Sequence, residues 1–314
     1  MVALAACLAW TATAAAECVD APDLAHYQQS PEEYAAGATR TDRLGRVVAP
    51  VRVNGQGPFR FIVDTGANRS VVSEQLAARL GLEAGEIDNV HSVHGVSQAP
   101  LVSVDSLNYG GVSLRSKELP MLSGAVLAGE HGLLGVDGMQ DRRLRMDFER
   151  NCIEIVPSRQ AQRLRGWSVI RGELRFGHLV VVRGSINGIR VNLLLDTGSD
   201  SSLANVALRD AMNVRLRRRL RREQTIAYTA GEPVVLEHAL LVPRMRMGEL
   251  EVRNVTAYVG DFHIFGLWDL LDEPTLLLGM DVLSQTRGLA IDYGRRTVSL
   301  HLRDQLRFGT RVQN

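Results

Sequence analysis

Lysine is almost missing. Lys117 is the only one in 314 residues, and arginine carries every other basic charge. A coding bias toward GC-rich codons accounts for this better than a demand for guanidinium chemistry. A charge excess is missing too: the formal net charge is +1, so bulk electrostatics points to neither a nucleic acid nor an acidic partner. The basic run of Arg215, Arg217, Arg218, Arg219, Arg221 and Arg222 has no interleaved aromatics and reads as a solvated face. A metal-ligand cluster is lacking: His91 and His94 form a single His-x-x-His, and residues three apart on a strand face opposite ways. Neither Gly66-Ala67 nor Gly198-Ser199 supplies the Gly-x-Ser-x-Gly of a serine-nucleophile elbow. The small, apolar stretch 1–16 is shorter than the roughly 20 residues of a spanning helix. It reads as a signal peptide cleaved after Ala16, although it has no basic n-region. Export to the periplasm or beyond is then expected, with no membrane insertion after cleavage. Cysteine is scarce, and cleavage would leave only Cys18 and Cys152, which could pair in an oxidising compartment.

What the chain has is a duplication. Phe59-Arg60-Phe61-Ile62-Val63-Asp64-Thr65-Gly66-Ala67 and Val191-Asn192-Leu193-Leu194-Leu195-Asp196-Thr197-Gly198-Ser199 are both apolar runs ending in Asp-Thr-Gly. Each run reads as a buried strand. A carboxylate at the end of such a strand is partly desolvated, so it must be hydrogen-bonded, paired or functional. Upstream, Val51-Arg52-Val53-Asn54-Gly55 matches Gly184-Ser185-Ile186-Asn187-Gly188, and Asn-Gly is the strongest short hairpin signal. Downstream, the apolar-apolar-Gly of Leu133-Leu134-Gly135 matches Leu277-Leu278-Gly279. Paired strands follow in both halves, Leu144 to Phe148 with Cys152 to Ile155, and Leu289 to Tyr293 with Thr297 to Leu300. Two copies in one order imply a pseudo-twofold pair rather than a solenoid.

Over residues 45 to 303 the chain resembles the retropepsin-like aspartic proteases, with two tandem lobes in one polypeptide. The resemblance implies a mostly β fold: two β-barrel lobes related by pseudo-twofold symmetry, their Asp-Thr-Gly loops side by side under hairpin flaps. It implies that Asp64 and Asp196 are the catalytic pair and that no metal or cofactor takes part. Thr65, Gly66, Thr197 and Gly198 would brace the pair, and Leu134-Gly135 and Leu278-Gly279 would pack beneath it. His94-Gly95 and Tyr228-Gly231 fall where flaps are expected. Two carboxylates about 3 Å apart cannot both ionise easily, so such a pair shares one proton. Ser199 is expected to donate its hydroxyl to Asp196, which Ala67 cannot do for Asp64, giving a milder working pH.

The expected order is signal peptide 1–16, leader 17–43, lobe one 44–157, linker 158–170, lobe two 171–304 and tail 305–314. In lobe one, 47–53 and 59–63 form a hairpin, 71–80 is helix-compatible, and 90–96 is a strand breaking at Gly95. Residues 261–273 have no counterpart in lobe one and are expected to shape a substrate pocket or pack on the other lobe. A monomeric endopeptidase acting on a polypeptide is the leading reading, since the linker raises the effective concentration of one lobe for the other. Pairing of lobes between two chains, and a peptide-binding module without turnover, are the alternatives.

Overall fold

The structure is a computed structural model that describes residues 42, 44–93, 95–109, 112–114, 117–124, 127–175, 179–212, 221–227 and 234–303. Strands dominate, and they form two lobes of the same plan. In lobe one, Val48–Val53 and Gln56–Val63 make an antiparallel hairpin closed by Asn54-Gly55, both at positive φ. In lobe two, Leu179–Ile186 and Ile189–Leu195 do the same through Asn187-Gly188. This is the turn geometry that Asn-Gly favours, because it matches the twist of the flanking strands.

The second strand of each hairpin delivers the aspartate, and beside it runs the apolar-apolar-Gly strand, in parallel. Gln56–Val63 pairs with Gly132–Leu134, placing Val63 opposite Leu134; Ile189–Leu195 pairs with Thr275–Leu278, placing Leu195 opposite Leu278. Both short strands are buried throughout, as their runs of leucine require. A third strand, Val71–Ser73 or Ser202–Ala204, lies antiparallel on the other side. A short helix follows each, Glu74–Leu80 capped by Ser73 and Val206–Ala211 capped by Asn205. Gly81 ends the first in the left-handed conformation. Thus the segment read as helix-compatible begins as a strand, because Val71 and Val72 are buried and paired.

Lobe two closes into a barrel where Val234–Met247 pairs with both Leu250–Val259 and Leu179–Ile186. Lobe one splits the corresponding long strand into Val96–Ser103 and Leu107–Tyr109, and the second piece closes on Val48–Val53. The ends of the lobes merge. Arg142–Asp147 and Cys152–Pro157 form a hairpin whose inner strand pairs with Gly288–Asp292, itself paired with Thr297–His301 and, through it, Ser168–Arg175. The boundary expected at 157 therefore cuts through a shared sheet, and the expected linker 158–170 holds a 3-10 turn, Ser158–Gln160, and the start of a strand. One apolar core runs through both lobes and this sheet. No helix among the described residues is long and apolar enough to cross a membrane.

Candidate active site

Asp64 and Asp196 leave their strands at the seam between the lobes, and both are buried, at 3% and 7% exposure. Each loop grips the other with threonine. The Thr65 hydroxyl donates to Leu195 O at 2.6 Å and accepts from Thr197 N at 3.1 Å. The Thr197 hydroxyl donates to Val63 O at 2.6 Å and accepts from Thr65 N at 3.2 Å. Each hydroxyl spends its one proton on the strand that carries the opposing aspartate, which locks the two loops in register. Gly66 N donates to Asp64 Oδ1 and Gly198 N to Asp196 Oδ1, both at 2.8 Å. The two carboxyls share a hydrogen bond with each other.

The glycines are required by contact. A Cβ on Gly198 would stand 2.2 Å from Asp64 Cγ, and one on Gly66 would stand 2.6 Å from Asp196 Cγ. Beneath the loops, Asp64 N donates to Leu134 O and Asp196 N to Leu278 O, both at 2.9 Å. Cβ atoms on Gly135 and Gly279 would fall 2.6 Å from the backbone of Arg69 and Ser201, so glycine lets the supporting strand turn under the loop. The expected positions Thr65, Gly66, Thr197, Gly198, Leu134, Gly135, Leu278 and Gly279 are thus brought together.

Ser199 departs from the expectation. Its hydroxyl donates to Ser201 O at 2.8 Å, so its proton is committed away from Asp196. The Ser199 backbone N–H bonds Asp196 instead, and Ala67 N–H does the same for Asp64. In so tight a loop the amide takes the place of the hydroxyl, and the Ser/Ala difference no longer supports a milder working pH.

Burial pushes the Asp64 carboxyl above the usual carboxylate range, against the pull of the bond from Asp196, the amides of Gly66 and Ala67 and the charge of Arg46. Burial and the neighbouring Asp64 charge push Asp196 well above that range. The arrangement holds one proton between two carboxyls and leaves the other able to accept one.

The expected lobe-one flap is the hairpin of Ala84–His91 and Val96–Ser103. Its tip crosses to lobe two. Val93 is 6% exposed and packs with Leu179, Phe262, Ile264, Phe265 and Trp268, and its carbonyl accepts from His263 N at 2.9 Å. The insertion, with its helix His263–Leu267, is therefore the seat of the flap. Leu179 and Trp268 also wall a cavity of about 10 Å³ against Gly66 and Asp196, so this apolar cluster reaches the dyad. Gly95 accepts from Ser92 N at 2.9 Å, and a Cβ there would meet nothing. His91 stacks on His263 with ring nitrogens 2.9 Å apart.

Several expected features fall outside the described residues: His94, Tyr228, Gly231, Cys18, most of the Arg215–Arg222 run, and the segments expected as signal peptide, leader and tail. Leader residue Asp42 is described and buried. Cys152 is buried and disulfide-bonded.

Other residues carry the site without having been singled out in the sequence. Ser70 donates to Asp137 at 2.6 Å and accepts from Gly135 N at 3.1 Å; Ser202 donates to Asp281 at 2.8 Å and accepts from Gly279 N at 3.1 Å. The signal was available, since a serine six residues after each aspartate and an aspartate two after each glycine occur in both copies. Arg46, fully buried beside Gly198, gave no such signal.

A family model described as aspartyl protease matches residues 49–137 and 182–282, one match in each lobe and together more than half of the chain. No curated protein matches the chain. With an Asp-Thr-Gly loop from each matched region meeting at one buried pair of carboxyls, the chain belongs to the aspartyl protease family, as two tandem retropepsin-like lobes.

Proposed function

We propose that the chain is an aspartic endopeptidase, hydrolysing peptide bonds of protein substrates through a water activated between Asp64 and Asp196. The observation that carries this reading is the reciprocal threonine grip, which presents two buried, mutually hydrogen-bonded carboxyls from opposite lobes. The ionised carboxylate takes a proton from the water as its oxygen attacks the scissile carbonyl carbon, and the other carboxyl gives its proton to the carbonyl oxygen. When the tetrahedral intermediate collapses, the C–N bond breaks and the amine leaves with the proton first taken from water. No acyl-enzyme forms. Both lobes come from one chain and share a sheet, which supports a monomer acting as an intramolecular pseudo-dimer. The apolar segment 1–16 supports export, so the substrates proposed are periplasmic or extracellular polypeptides.

The test is a peptide library presented to the mature chain from pH 3 to 7. Cleavage, blocked by a peptide whose scissile amide is replaced by a hydroxyethylene group that mimics the tetrahedral intermediate, is the expected result. No cleavage at any pH by folded protein would leave a peptide-binding module.

Flap closure gives a separate prediction. The strand Ala84–His91 is exposed along nearly all its length, so Val93 is the main anchor of the hairpin tip. Burying a valine contributes roughly 1.5–3 kcal/mol, and a carboxylate in its place is strongly disfavoured. Val93→Asp is expected to raise amide hydrogen exchange in the hairpin and to lower kcat/KM about 10- to 100-fold. The melting temperature stays nearly unchanged. Unaltered exchange in the hairpin would mean that Val93 does not hold the flap.

A further inference from the structure

The pseudo-twofold axis is broken by charge directly behind the dyad. Arg46 is completely buried. Its Nε donates to Asp42 Oδ2 at 2.6 Å, and the Asp42 Oδ1 accepts from the backbone N–H of Leu44 and Arg46, both at 2.9 Å. Asp42 is thereby fixed within a tight turn and holds the guanidinium in place. From there Nη1 donates across the lobe boundary to Gly198 O at 3.4 Å. Gly198 is the residue whose N–H bonds Asp196 and whose Cα abuts the Asp64 carboxyl.

The register of the two hairpins identifies the symmetric position. Val48 lies opposite Ile62 and Val181 opposite Leu194, each partner two residues before its aspartate. Counting back two from Val48 and Val181 gives Arg46 and Leu179. Where lobe one has a buried cation reaching the opposite loop, lobe two has a buried leucine walling the cavity beside Gly66 and Asp196. Each carboxyl lies against the glycine of the opposite loop, so the Asp64 carboxyl sits on the side of the positive charge and the Asp196 carboxyl on the side of the hydrocarbon.

Resting on the endopeptidase reading, we infer that Arg46 is a positioning residue that fixes the proton asymmetry of the dyad. Asp64 is the carboxylate that activates water, and Asp196 is the carboxyl that keeps the proton and faces the substrate carbonyl. An opposite charge favours the ionised form of a carboxyl, and an apolar wall favours the neutral one. The directions of titration agree, since Arg46 pulls Asp64 down while Asp196 is pushed well up. The other titratable groups that act on Arg46, Asp64 or their neighbours leave this field standing. Glu130 is engaged by Arg60 through two bonds of 2.7 and 2.9 Å. His131 accepts from Arg60 N, and burial with the charges of Arg60 and Arg79 pulls it down to about 4, so it is neutral over most of the working range. Tyr293 is buried, and burial and the Asp64 charge push it far up, so it stays protonated. The counter-charge nearest to Arg46 is Asp42.

The test uses the full mature chain and three variants, read by the pH profile of kcat/KM and by carbon-13 NMR titration of the Asp64 and Asp196 carboxyls. Asp42→Asn keeps the side-chain oxygen that accepts from both backbone N–H groups but removes the counter-charge, and should move the Asp64 titration and the acid limb to lower pH. Asp42→Asn with Arg46→Met removes the whole pair without stranding a charge, and should move both about one unit upward, a tenfold loss of kcat/KM on the acid side with KM unchanged. Arg46→Lys should titrate like the parent. Shifts of opposite sign are not produced by a merely structural role. If the Asp64 titration stays put in both Asp42 variants while activity falls equally at every pH, Arg46 only supports the fold and the inference is overturned. If the parent cleaves nothing, the endopeptidase reading falls, and the carboxyl titrations still decide whether Arg46 sets the asymmetry.

Discussion

Asp64→Asn and Asp196→Asn are each expected to leave the folded chain without measurable peptide cleavage anywhere between pH 3 and 7. Asparagine keeps the shape and can still accept the Gly66 or Gly198 N–H, so the loops remain in place. What is lost at Asp64 is a base, and at Asp196 a proton donor. Acid–base assistance of this kind is worth about 10²- to 10⁴-fold at each position, and groups that act as a unit lose nearly the whole effect when either is removed. Stability is expected to respond in the opposite direction. Both carboxyls are pushed above their unfolded values by burial. The folded state therefore holds protons that the unfolded chain has released, and this contribution is full below the unfolded pKa of 3.8 and is lost as pH rises through the folded values. Asp196→Asn removes that penalty, so this variant melts higher than the parent at pH 7, and the difference shrinks toward pH 4. One variant dead and the other active would show that the two aspartates do not form a single site. A variant melting lower at pH 7 would show that Asp196 is ionised and well paired.

The residues legible in the sequence are those bound by symmetry. Asp64 and Asp196, the threonines that follow, the Asn-Gly hairpins and the two apolar-apolar-Gly strands were found because each copy vouched for the other. The Ser70–Asp137 and Ser202–Asp281 pairs obey the same symmetry and passed unremarked, since serine and aspartate near a turn are common enough to need no explanation. Where the copies differ, the sequence misled or fell silent. Ser199 against Ala67 suggested an asymmetry that the loop geometry removes, because the serine proton is spent on Ser201. Arg46 against Leu179 is a real asymmetry, and only strand register aligns the two positions. Contacts between lobes were the least accessible. In sequence His91 stands in a His-x-x-His with His94, whereas in the fold it stacks on His263, on the insertion of the other lobe. The merging of the two closing hairpins into one sheet is likewise a pairing between distant segments, Arg143 opposite Asp292, that no local pattern announces.

Gly198→Ala is expected to lower kcat/KM by about 100-fold or more, although alanine is the smallest change available. Gly198 is not among the residues at positive φ, so its backbone would accept a side chain without torsional strain. The obstacle is the aspartate opposite. An added Cβ would lie 2.2 Å from both Cγ and Oδ2 of Asp64, more than 1 Å inside an ordinary contact. Asp64 cannot swing clear cheaply. It is held by Gly66 N and Asp196, and its own backbone is pinned to Leu134 O. The strain is relieved by spreading the two Asp-Thr-Gly loops, which pulls at the four threonine bonds and separates the carboxyls that must share a proton. Gly66→Ala meets Asp196 Cγ at 2.6 Å and is expected to be the milder of the two. Gly124→Ala, where a new methyl meets nothing within 4 Å, serves as the neutral comparison. The loss should fall on kcat more than on KM, because the apolar cluster around Phe265 and Trp268 is untouched, and the two limbs of the pH profile, held apart by the coupling, should draw together as the carboxyls uncouple. A Gly198→Ala protein that cleaves as fast as the parent would mean that the working dyad is wider than the one formed here, with the carboxyls bridged by water rather than by a direct hydrogen bond.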